Sequence, residues 1–134
     1  MIQSANEFVQ LTEENSSRAV GEAAVSEDVW FEVIRSFPTF KEWVVQNKTV
    51  PISVLRVLAT DQDTKVRFFV AMKNKCDEEI LQQLSSDPDE AVRVRVVWNR
   101  KASPSILEKL ANDSSELVRS AVMDRSKQPS QRSS

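Results

Sequence analysis

Part of this chain repeats itself at a fixed step. Val66-Arg67 returns as Val92-Arg93 and again as Val118-Arg119, an offset of 26 residues each time. Val70, Val96 and Val122 keep the same step, as do Leu55, Leu81 and Leu107, then Leu58, Leu84 and Leu110, and Asp61, Asp87 and Asp113. Val54, Ile80 and Ile106 form a β-branched column beside them. A unit this short cannot enclose an apolar core of its own. A gapless period therefore means that successive units stack and cover one another.

The spacing inside a unit is helical. Val92 and Val96 are four residues apart, and Ile106, Leu107 and Leu110 follow as an i, i+1, i+4 set. Between them Ser103 is suited to cap a helix, with Pro104 at the first helical position, where its missing N–H costs nothing. Asp89 is placed to cap the helix carrying Val92. Each unit thus reads as helix A, turn, helix B, turn. Helices A are predicted near residues 39–47, 64–73, 90–99 and 116–125, and helices B near 52–60, 78–86 and 104–112. Such short helices are marginal alone, so stacking supplies most of their stability. A single Gly in 134 residues argues against hairpins and excludes the usual Gly-rich phosphate loop. The expected fold is all-α.

The flanks are less regular. Ser4 and Glu7 fit a capping box, and Val29, Trp30, Val33 and Ile34 make a helical apolar stripe. Residues 4–36 read as degenerate capping helices, 37–125 as regular repeats, and 1–125 as one domain. The tail, 126–134, has no apolar residue and is expected to be disordered.

Composition narrows the chemistry. The chain lacks His, which removes the commonest general base and metal ligand. One Cys forms no internal disulfide and fits a reducing compartment. The net charge of −2 draws the chain to neither nucleic acid nor an anionic membrane. With no basic, apolar leader in its first residues, the chain reads as cytoplasmic.

The stretch from Val92-Arg93 to Val118-Arg119 resembles the leucine-rich repeat variant, a short HEAT-like bacterial repeat. The matching residues are Val92-Arg93, Val96, Asn99, Ile106-Leu107, Leu110-Ala111, Asp113 and Val118-Arg119. Val66-Arg67, Leu81, Leu84 and Asp87-Pro88-Asp89 match as well, and the likeness covers roughly residues 39–125. It implies stacked helix pairs in a right-handed α-solenoid that serves as a binding surface. The family's Asn-Pro turn is absent, because Arg100 follows Asn99. Some members carry an iron–sulfur cluster on several cysteines, which Cys76 alone cannot hold. No cofactor or metal is expected.

Cys76 shares its column with Val50 and Ala102, which marks a packing position rather than a nucleophile. The Arg67, Arg93, Arg119 column runs with the Asp61, Asp87, Asp113 column, and the simplest reading is hydrogen-bonded pairs locking one unit to the next. Cations gather at the A-to-B turns (Lys48, Lys73, Lys75, Arg100, Lys101, Arg125, Lys127). Acids gather at the B-to-A turns (Asp61, Asp63, Asp87, Asp89, Glu90, Asp113, Glu116). Helix-end electrostatics accounts for both sets.

On helices A, at about 100° per residue, Val94 and Trp98 point away from Val92 and Val96. Phe68 and Met72 occupy the same columns one unit earlier, while the flanking units place Glu42, Gln46, Ser120 and Asp124 there. A large apolar set with a polar border has the composition of a partner-binding core. Burial between adjacent helices is the competing reading. Phe68, Met72, Val94 and Trp98, with Arg95 and Arg100 as polar anchors, are the expected contact residues.

These features point to a non-enzymatic module that holds or occludes a protein partner, such as a toxin-neutralising immunity protein. The alternative is a HEAT-like nucleic-acid binder using the basic edge. A structural adaptor is a third reading.

Overall fold

The structure, a computed structural model, describes residues 4–6 and 27–128. Among them the fold is all-helical, with no strand. The helices are α1 (Glu27–Ser36), a 3-10 turn (Pro38–Phe40), α2 (Lys41–Gln46), α3 (Ile52–Leu58), α4 (Thr64–Ala71), α5 (Glu78–Leu84), α6 (Glu90–Trp98), α7 (Pro104–Ala111) and α8 (Glu116–Ser126). Glu7, and with it the expected capping box, lies outside the described residues. So do residues 129–134 of the expected tail, although Ser126 belongs to α8 rather than to the tail.

Four helices, α4 to α7, start at side chains that cap them. Asp63, Asp77 and Asp89 accept the N–H of Lys65, Ile80 and Ala91 at 2.9, 3.0 and 2.8 Å. Ser103 accepts from Ile106 at 3.3 Å, with Pro104 opening α7. The ends of α4 and α6 come slightly earlier than the spacing predicted. The amides of Met72 and Lys73 turn to the carbonyls of Phe69 and Val70, three residues back, which tightens the chain out of α4. After α6, Asn99 adopts an extended backbone and its Oδ1 takes the Lys101 N–H at 2.9 Å. Asn47 ends α2 in the same way, accepting from Thr49 N at 2.8 Å.

Two compact units divide the chain, residues 1–60 and 61–134. In the first, α1 packs against the 3-10 turn, α2 and α3. Trp30 and Val33 of the predicted stripe are fully buried there, with Val44, Val45, Val54 and Leu55. Ala5 is buried too, its N–H on Glu32 at 3.2 Å.

In the second unit, α6 packs directly against α4 before it and α8 after it. The B helices α5 and α7 lie against this layer through Ile80, Leu81, Leu84, Ile106 and Leu110, all at most 1% exposed. Val66, Val70, Val92, Val96 and Val118 meet them from the A helices. Each such side chain is worth about 1.5–3 kcal/mol on burial. The last copies of two columns are looser, since Val122 and Leu107 are half-buried whereas Val96 and Leu81 are fully enclosed.

Candidate partner-binding face

Helix geometry divides the surface of α6 into four sides. Val92 and Val96, both at zero exposure, face the B helices. Val97, also at zero exposure, turns toward α8. Arg95 turns back to α4, its guanidinium carbon 5.4 Å from the centre of the Phe68 ring. Val94 and Trp98 are left on the fourth side, where both are half-buried.

The same side of α4 carries Phe68, half-buried, and Met72, which is 47% exposed. Phe68 is held between Arg95 and Phe69, whose ring meets it edge-on at 6.0 Å. The two competing readings of this set therefore divide along the helix. Phe68 is partly spent on its contact with Arg95 of α6, and Val94 is half-buried. Met72, at the end of α4, is open to solvent, and Trp98, at the end of α6, is half open. Arg100, two residues past Trp98, is exposed.

Leu117 extends the face onto α8 and was not among the expected residues. It is 62% exposed, and it lies three residues before Ser120 and seven before Asp124, on the same side of the helix. Its column partners are Ala91 and Lys65, both exposed. Following that third column outward was the signal available in the sequence.

Within residues 61–134 the Arg and Asp columns do join one helix pair to the next. Arg67 Nε is 2.7 Å from Asp87 and Arg93 Nε 2.9 Å from Asp113, in each case 20 residues onward. Each arginine also reaches back six residues, its Nη1 donating to the carbonyl of Asp61, Asp87 or Asp113 at 2.7, 2.6 and 2.7 Å for Arg67, Arg93 and Arg119. Each aspartate carboxylate accepts the amide two residues on, from Asp63, Asp89 and Ser115. The hydrogen bond that Arg67 donates to Asp87 raises the Arg67 pKa above its ordinary value despite some burial. Burial acts to raise the Asp113 pKa, but the Ser115 amide and Arg93 outweigh it and hold the carboxyl below its ordinary value.

A second ladder runs along the C-terminal ends of the A helices. Asn99 Nδ2 donates to the carbonyls of Ala71 and Lys73 at 2.8 and 3.0 Å. Arg125 repeats the contact 26 residues later, donating Nη1 to the carbonyls of Val97 and Asn99. Burial lowers the Arg125 pKa. One member of the basic set is thus a structural clamp. Lys73 is lowered by burial first and by Lys75 second.

Cys76 is fully buried, with Sγ donating to the Val70 carbonyl at 3.1 Å. Burial, then Asp77, pushes its pKa up to about 12, the opposite of what a nucleophile needs. Its column partners Val50 and Ala102 are buried as well. Among the described residues no group of three or more acids or thiols is arranged to hold a metal, and no helix is long and apolar enough to cross a membrane. Compared with known proteins, the chain matches no family model, no curated protein and no solved structure.

Proposed function

We propose that this chain is a non-catalytic, cytoplasmic protein-binding module built as a right-handed α-solenoid of the leucine-rich-repeat-variant type. It holds or occludes one protein partner on the open side of helices α4, α6 and α8, and a toxin-neutralising immunity protein is the sharper form of that reading. The observation that carries it is the placement of Met72, Trp98 and Leu117. Val66, Val70, Val92, Val96 and Val118 on the same helices are buried, yet these three large side chains keep solvent-facing surface on one common side. Large apolar groups left open beside cations are the usual material of an interface anchor. Phe68, Val94, Arg95 and Arg100 complete the contact set.

The test is affinity capture with the wild-type chain and with Met72→Glu, followed by titration of whichever protein is lost from the variant. A partner that binds both chains equally well places its contact elsewhere. The second reading, nucleic acid along the basic edge, draws on the exposure of Arg100 and Lys101. Binding to oligonucleotides with a steep salt dependence is what it requires.

A further inference from the structure

The charge at the two ends of the A helices is symmetric in sequence but not in use. At the acidic end, the side chains are consumed by the fold. Asp63 and Asp89 cap helices, Asp87 and Asp113 bridge to arginines, and Glu90 accepts the Ser115 hydroxyl at 2.6 Å. Glu116 is the exception, an exposed carboxylate without such a bond among the described residues. At the basic end, Arg125 is clamped on carbonyls. Arg95, Arg100 and Lys101 have no carboxylate partner among the described residues, and Arg100 and Lys101 are exposed.

These cations lie beside the residues of the open apolar surface in the chain. Trp98 ends α6, and Arg100 and Lys101 form the turn that follows it. Met72 closes α4 in the matching place. We infer that the occupant of this face is an acidic protein segment, which seats a large apolar side chain between Met72 and Trp98 and sets its carboxylates against Arg95, Arg100 and Lys101. This rests on the protein-binding reading above and adds the chemistry of the partner. Fixed charges of one sign at an interface rim select a partner of the other sign and speed its arrival. A phosphate backbone fits less well. Asp124 lies in the same helical column as Met72 and Trp98, exposed, so a peptide can place an uncharged stretch against it while its carboxylates meet Arg100 and Lys101, which an evenly charged phosphate backbone cannot do. The Phe68 ring, already covered by Arg95, is a poor base-stacking platform.

The experiment is selection from a displayed peptide library of balanced charge against the immobilised protein, with counter-selection on Met72→Glu. The expected peptides carry net negative charge and a large apolar residue. Their affinity falls about tenfold or more in Arg100→Glu/Lys101→Glu, and less in the Gln/Gln double variant, which leaves the turn neutral. Circular dichroism of each variant checks the fold. Trp98→Ala provides a second route to the apolar anchor should Met72→Glu prove unstable. Selected peptides that depend on Met72 but are neutral or basic, and are unmoved by the charge variants, overturn the acidic partner while leaving the surface itself standing. A selection yielding no peptide that depends on Met72 or Trp98 overturns the surface reading. A parallel titration uses a fluorescent single-stranded oligonucleotide at about 150 mM salt. Binding lost in the charge-reversed variant but kept in Met72→Glu assigns the cations to phosphate and overturns the inference.

Discussion

Arg93 meets Asp113 across a gap of 20 residues with two hydrogen bonds, Nε to Oδ2 at 2.9 Å and Nη2 to Oδ1 at 3.1 Å. The same guanidinium holds the Asp87 carbonyl at 2.6 Å, and Asp87 in turn is the partner of Arg67. One side chain therefore fixes the turn before its own helix and the turn before the next. The bond geometry is bidentate and the groups are mostly buried, which is where an ion pair contributes most to holding parts in register.

Removing Asp87 should cost about 2–4 kcal/mol, because Arg67 loses its partner and the Asp89 amide its acceptor. Glu116→Ala, at an exposed acid without such bonds, should stay within about 0.5 kcal/mol. Urea melts of the two variants compare them directly, and equal effects would mean that the ladder does not couple successive helix pairs.

Acid should act through Asp113. Its folded pKa lies below the ordinary carboxylate value, so its stabilisation is present above the unfolded pKa of about 3.9 and is lost as pH falls through the folded value. Asp113→Asn should therefore be less stable than wild type at neutral pH, with a gap that stays level down to about pH 5 and narrows below about pH 4. A gap independent of pH across that range would place the stabilisation in shape rather than charge.

Cys76 should label slowly in the folded protein. With the thiol buried and its pKa pushed up to about 12, a maleimide or disulfide reagent at mildly alkaline pH should react only as fast as the chain opens. Reaction should become rapid in denaturant. Fast labelling of native protein would show that the site is accessible and return Cys76 to the list of nucleophiles.

Asn99→Ala should destabilise the fold by about 1–3 kcal/mol, since the carbonyls of Ala71 and Lys73 lose a donor in a dry setting. Circular dichroism melts measure it. Little change would mean that water replaces the amide.

The positions of α4, α6 and α7 were legible because each rests on a local signal. Ser103-Pro104 and the aspartates at 63 and 89 start helices wherever they stand, and the leucine and valine columns mark what those helices must bury. The Arg and Asp columns showed that pairs exist, but a 26-residue period alone does not say whether Arg67 looks to Asp61 or Asp87. It uses both, one through the backbone and one through the carboxylate. The second ladder was hidden because its column, Asn47, Lys73, Asn99 and Arg125, keeps a donor without keeping a residue type. Exposure of the Phe68 and Trp98 columns lay beyond pattern reading, because it depends on how closely α4 and α6 approach. At Phe68, Arg95 lying over the ring takes up part of that surface.

The most direct measurement sets Trp98→Ala beside Leu84→Ala, reading both denaturant stability and affinity for a partner protein. Leu84 is 1% exposed in the sealed core, and its truncation should cost about 2–5 kcal/mol of stability. Trp98→Ala should cost less stability than that, while weakening binding by about 2 kcal/mol or more, as a buried anchor does. If Trp98→Ala unfolds the protein as readily as Leu84→Ala does, Trp98 belongs to the core, and the open side of the A helices is not a binding surface.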